Sequence, residues 1–363
     1  MVGLVASAIS AVLIAGMITG YDASCCVDRH PYVRLYDGDR TQLEAFLVTG
    51  DAQAFAALAQ DPMLAHPEHI DPPEEYAYRA QRPVWGYLGW ATSLGQPQLA
   101  GWALVALSIV AAGALASAVA ALSMRRGAAP WWGMVALVAG FQPLQELTPE
   151  LLAAALVGGA LLCGRERRVP YVGFLTVAAL TRESMLVAVA MLAAYEVVQA
   201  AGPLAPRVRA VLPLAIPFAA YAGWAIVLQQ RLGGWPWQRS DDRLVAPFTG
   251  IVEAWTDGAT GATIGFVVAC VLCGGAWALA RRDVLTWIAS GYLLFATTFS
   301  ADVWLRGGFE RSLVPLYVFG TIAVVGGLHA RRRPPVCDDA LVGVATPAPD
   351  AMAGAHTRPK GTT

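Results

Sequence analysis

Gln145-Glu146-Leu147-Thr148-Pro149-Glu150 interrupts an apolar run from Trp131 to Cys163, and Thr181-Arg182-Glu183-Ser184 interrupts a second run from Tyr171 to Ala200. A full membrane crossing takes roughly 20 apolar residues. The arms here, Trp131 to Gln142, Leu151 to Cys163 and Tyr171 to Leu180, are all shorter. At about 1.5 Å of rise per residue, a twelve-residue arm reaches only about 18 Å. Both polar tips are therefore expected below the membrane surface, at similar depth and on the same side. Ionisable groups at that depth are costly unless they face a wet cavity or one another. Two short hairpins with buried polar tips point to a site.

The rest of the chain fits that setting. Of 363 residues, 56% are hydrophobic and 14% charged, with a mean hydropathy of +0.51. This composition predicts an all-α integral membrane protein and excludes a soluble two-lobed enzyme. A net charge of −1 without a basic stripe implies no nucleic-acid partner. The six cysteines form no framework: Cys163, Cys270 and Cys273 lie in apolar segments and Cys337 in the tail. Cys270-Val-Leu-Cys273 has metal or redox spacing but no second ligand pair, so it reads as packing. Cys25-Cys26 reads as a free pair or an intermolecular link.

Val2 to Thr19 is apolar throughout and has no basic residue before it, which predicts an uncleaved first helix rather than a signal peptide. Arginines cluster at Arg125-Arg126, Arg165, Arg167, Arg168, Arg207, Arg209, Arg281-Arg282 and Arg331-Arg332-Arg333. Placing these short loops in the cytoplasm gives ten alternating crossings. The spans are 2–20, 99–123, 131–143, 150–163, 170–181, 184–201, 210–229, 263–280, 284–299 and 312–330. Both termini are then cytoplasmic in a multi-pass protein of the cytoplasmic membrane. A membrane domain covers 1–333, with outer loops at 21–98, 230–262 and 301–311, and 334–363 reads as a disordered cytoplasmic tail. Within the long first loop, Thr41 to Val48 and Ala52 to Ala59 have helical pattern. Pro83 to Trp90 is aromatic and suits the membrane interface.

The polar groups of interest gather on the outer face, and the cytoplasmic loops hold no glycine-rich phosphate loop. Outward arginines suit a lipid-linked phosphate, because the guanidinium fork binds phosphate oxygens in pairs. Carboxylates beside them suit removal of an acceptor proton. Glu146 and Glu150, four apart, share a helix face if the intervening residues are helical, with Pro149 in the first turn and Thr148 as its cap. Arg182 either pairs with Glu183 or meets the lipid phosphate. His30, His66 and His69 have no ligand spacing around them and read as exposed. No metal ligand is identified and no cofactor is called for; a divalent metal is left open.

Several blocks resemble a known group. Tyr78-Arg79-Ala80-Gln81-Arg82-Pro83, Phe55 to Asp61-Pro62, Glu146-Leu-Thr-Pro-Glu150, Leu180-Thr-Arg182-Glu183, Pro247-Phe-Thr-Gly250 and Glu310-Arg311-Ser-Leu-Val-Pro315 stand in order across 36–317. Together they resemble a family of bacterial membrane proteins acting in cell-surface glycopolymer formation. More broadly, they resemble the GT-C class of glycosyltransferases. The resemblance implies a GT-C-like helical bundle of about ten spans, some short or re-entrant. It also implies sugar transfer from a polyprenyl-phosphate donor to a glycan or glycolipid acceptor on the outer face of the cytoplasmic membrane. Arg79, Arg82, Arg182 and Arg311 would bind the donor phosphate, and Glu146, Glu150 and Glu183 would be cavity acids. An acidic residue of the first loop would be the base or the acceptor binder. Tyr36-Asp37-Gly38 matches the motif literally, whereas Asp51 keeps the spacing to Asp61-Pro62, so both Asp51 and Asp37 are candidates. A carrier or flippase for lipid-linked glycan and a glycan polymerase are the alternatives. The one-sided first loop and the lack of visible repeats favour the enzyme.

Overall fold

Length and polarity sort the helices into two groups. In the computed structural model, five helices are long and apolar enough to cross a membrane: Val2–Thr19, Pro97–Arg125, Ala205–Leu232, Thr260–Ala280 and Val314–Arg332. Five apolar segments are shorter: Pro130–Ala139, Glu150–Cys163, Arg168–Thr181, Met185–Gln199 and Val284–Ala296. The structure describes residues 1–21, 41–48, 51–66, 73–199, 203–238, 243–305 and 308–332. Among these residues the chain is helical and forms no strand, only an isolated bridge between Leu244 and Phe299. It is an all-α membrane protein. Asp37, Cys25, Cys26, His30, His69 and the tail 334–363 lie outside the described residues.

Small residues bring the first two long helices together. Ser7 donates to the Ile109 carbonyl at 3.1 Å. A Cβ on Gly3 would stand 2.6 Å from the Gly113 carbonyl oxygen, and one on Gly113 would stand 2.9 Å from that of Gly3. Gly3 with Ser7 and Gly113 with Ser117 thus form facing small-xxx-small pairs, which let two backbones meet in a lipid environment. By contrast, Thr260–Ala280 exposes Ile264, Val267, Val268 and Val271, as a lipid-facing helix must.

The arginine clusters converge at one end of the bundle. Arg126 forms a two-pronged pair with Asp283, at 2.6 and 2.7 Å. Arg125 donates to the Leu162 carbonyl at 2.8 Å, and Arg331 to that of Ala278 at 2.6 Å. Arg165 pairs with Glu196 at 2.7 Å. The short helices run from this end and stop early. Glu150–Cys163 and Arg168–Thr181 have 14 residues each, about 21 Å of helix at 1.5 Å per residue, against a hydrocarbon core of about 30 Å. Helices of that length fall short of the core's thickness, and the first loop covers their far ends.

That loop folds as a helical cap. Gln42–Leu47 opens with a capping box in which the Thr41 side chain accepts from the Glu44 amide and the Glu44 carboxylate accepts from the Thr41 amide. Ala52–Gln60 follows, and its end is closed by Asp61, whose carboxylate accepts from the amides of Ala65 and His66 at 3.0 and 2.8 Å. The Pro83–Thr92 helix corrects one expectation. Trp85 is no interfacial anchor: it is fully buried, and its indole N–H donates to the Leu147 carbonyl at 3.1 Å. The cap is thereby tied to the first hairpin tip.

Candidate functional site

Where the cap meets the hairpin tips lies a cavity of about 740 Å³. Its floor comes from the two hairpins. The Phe141–Gln145 helix ends at Glu146, Leu147 turns with φ of +48°, and a new helix starts at Glu150 with Pro149 as its N-cap. Glu146 and Glu150 therefore do not share a helix face, because the left-handed Leu147 breaks the helix between them. Thr148 does not cap the second helix. The positive φ is unfavourable for leucine, and Leu147 is held there by complete burial and the Trp85 bond.

Two ion-paired clusters follow. In the first, Asp51 stands just before Ala52–Gln60 but makes no side-chain cap. Its Oδ2 instead pairs with Nη1 of Arg79 and, at 2.6 Å, with Nη1 of Arg311. The same Arg311 nitrogen reaches Glu146 Oε2 at 2.5 Å, and Gln142 Nε2 donates to Glu146 Oε1 at 3.2 Å. In the second, Arg82 grips Glu183 with two bonds of 2.9 Å. Arg182 lies 3.5 Å from Glu183 and 3.4 Å from Glu150. Arg82 and Glu150 are each only 1% exposed, so both charges persist there only because they are paired.

Burial raises both carboxyls of the first cluster, and the neighbouring charges give them opposite net directions. It would raise the Asp51 carboxyl, but the guanidiniums of Arg311 and Arg79 outweigh it and hold Asp51 well below the usual aspartate range. Burial pushes Glu146 up; Arg311 opposes this, and the nearby Asp51 and Glu150 charges add to it.

Tyr78 stands between the clusters. Its hydroxyl oxygen accepts from Arg243 Nη1 at 3.1 Å and more loosely from Arg82 Nη2 at 3.4 Å. The Arg243 guanidinium also lies 4.7 Å from the Tyr78 ring centroid. Arg243 is held by a strap, residues 243–248, laid along 297–300. Ser300 N donates to the Arg243 carbonyl at 2.8 Å and Val245 N to that of Thr298 at 2.8 Å. A Cβ on Gly250 would collide with the Phe299 carbonyl, which explains the glycine of the Pro247-Phe-Thr-Gly250 block. The cavity lining also includes apolar Leu186, Val187, Leu244, Phe295 and Phe299.

The structure thus brings together Asp51, Arg79, Arg82, Arg182, Arg311, Glu146, Glu150 and Glu183. Asp37 lies outside the described residues. The Arg182–Glu183 contact does occur, but the stronger partner of Glu183 is Arg82. The sequence reading missed Arg243, which sits in a long loop that orientation rules ignore, and assigned no role to Tyr78. Among the described residues, Arg243 is the one cavity guanidinium in no ion pair with a carboxylate. Comparison with protein-family models, with curated proteins and with solved structures found no match.

Proposed function

We propose that the protein is a GT-C-like membrane glycosyltransferase that moves a sugar from a polyprenyl-phosphate donor to a glycan or glycolipid hydroxyl on the outer face of the cytoplasmic membrane. The observation carrying this reading is the cavity's mixed lining, in which the acids and arginines stand together with isoprenoid-compatible Leu186, Val187, Phe295 and Phe299. A lipid with a charged headgroup matches both. The arginine-rich end, read as cytoplasmic by charge, is the opposite end of the bundle.

In this reading Asp51, immobilised by Arg79 and Arg311, accepts a hydrogen bond from the acceptor hydroxyl. Glu146, with its raised proton affinity, takes the proton. The acceptor oxygen bonds to the anomeric carbon as the bond from that carbon to the phosphate oxygen breaks. The electron pair stays on the phosphate, where cavity guanidiniums offset the charge that develops. Arg82, Arg182, Glu183 and Glu150 act as a paired scaffold beneath.

The test is transfer by the purified protein from radiolabelled polyprenyl-phosphate sugars to glycan acceptors. Expected is label transfer that falls about 10²–10⁴-fold in Glu146→Gln, with donor affinity kept. Translocation of lipid-linked glycan across vesicles with no bond cleavage would overturn the enzyme in favour of a carrier.

A further inference from the structure

We propose that the Tyr78 hydroxyl, set in place by Arg243 and Arg82, donates a hydrogen bond to an anionic phosphate oxygen in the cavity and so contacts the phosphate ester that leaves the sugar. This rests on the reading above that the donor is a lipid-linked phosphate.

A phenol oxygen has one proton to give and two lone pairs to offer. At Tyr78 both lone pairs receive guanidinium N–H groups, from Arg243 at 3.1 Å and Arg82 at 3.4 Å. The proton is then the group's remaining hydrogen-bonding capacity. Among the described residues no hydrogen bond takes it, although Tyr78 is 92% removed from solvent, with a relative exposure of 8%. Tyr78 and Arg243 both line the cavity, as do Leu186, Val187, Leu244, Phe295 and Phe299.

Charge selects the ligand. Arg79, Arg82, Arg182 and Arg311 are each committed to a carboxylate. Arg243, among the described residues, has only the Tyr78 hydroxyl and ring. A guanidinium in no ion pair among the described residues, beside a polarised O–H, suits a tetrahedral oxyanion. An acceptor hydroxyl would be met instead by the acids at Asp51 and Glu146. Burial raises the Tyr78 phenol, but Arg82, Arg182 and Arg243 outweigh it and lower it overall, which makes the O–H a stronger donor. The apolar lining residues then receive the ester's hydrocarbon chain.

The experiment uses the full chain in detergent with farnesyl phosphate, and farnesol as the uncharged control, followed by phosphorus NMR. Wild type should bind farnesyl phosphate. The bound ester's second ionisation should lie below its free value of about 6, since donors favour the dianion. Tyr78→Phe keeps the ring under Arg243 and removes only the hydroxyl. Affinity should fall about tenfold and the ester's ionisation should move back up, with farnesol binding unchanged. A wild-type protein that binds farnesyl phosphate with an unshifted ionisation overturns the inference without need of any variant, as does equal binding by Tyr78→Phe. Both results leave the lipid-phosphate reading intact. Failure of the wild type to bind farnesyl phosphate at all overturns both.

Discussion

Asp51 shows how one residue's surroundings decide its task. A carboxylate gripped by two guanidiniums is a poor free base but a well-oriented acceptor, which is why the proposed mechanism routes the proton to Glu146. Asp51→Asn should lower transfer about 10–100-fold, the worth of a hydrogen bond to a charged group, while costing only about 1–3 kcal/mol of stability, read by activity and thermal melting on the same sample. Its linkage has a definite sign. Because the folded-state value of Asp51 is depressed, its stabilisation is present above the unfolded value of about 3.9 and is lost as pH falls through the folded one. The melting deficit of Asp51→Asn should therefore be full near neutral pH and shrink as pH drops below about 4. A deficit independent of pH would mean that the ion pairs are not its cause. Asp51 was legible through its spacing to Asp61-Pro62. Arg243 was not: nothing in Arg243-Leu-Val-Ala-Pro247 announces a strap whose partners lie more than fifty residues away.

At the scale of elements, the short hairpins were legible because length against bilayer thickness is arithmetic. Their tips were not. A helical spacing of four between Glu146 and Glu150 holds only if the backbone between them is helical, and Leu147 adopts a φ that leucine rarely takes. The cause is tertiary: Leu147 is buried and its carbonyl receives the Trp85 indole, an arrangement invisible in Glu146-Leu-Thr-Pro-Glu150. The same bond draws Trp85 into the interior, away from the membrane interface that the aromatic pattern of Pro83 to Trp90 suggests. Trp85→Phe should cost about 1–3 kcal/mol by leaving that buried carbonyl unpaired. It should also lower transfer, since the tip carrying Glu146 loses its anchor; unchanged activity would separate the tip from the chemistry. Between the first two long helices, Gly113→Val should cost about 1–3 kcal/mol by overpacking, measured as a lower melting temperature. Gly16→Val, where a Cβ would meet nothing within 4 Å, should be near neutral.

The molecule as a whole divides its charge between two ends. Arg125, Arg126, Arg165 and Arg331 make their contacts at one end, and the cavity lies against the opposite ends of the short helices. This division was legible from where arginines fall in short loops, because each short loop returns the chain to the same end. In a cysteine-free background, cysteine at exposed Asp257 should react with an impermeant thiol reagent outside intact cells, and cysteine at exposed Glu166 should not. The most direct test of the account joins this sidedness to the chemistry. A short-chain, membrane-impermeant donor sugar phosphate and a soluble acceptor are added outside sealed vesicles whose orientation the labelling has established. The account predicts transfer by right-side-out vesicles, and by inverted ones only after detergent opens them. Transfer by sealed inverted vesicles alone would contradict it, since the working cavity would then face the arginine-rich side.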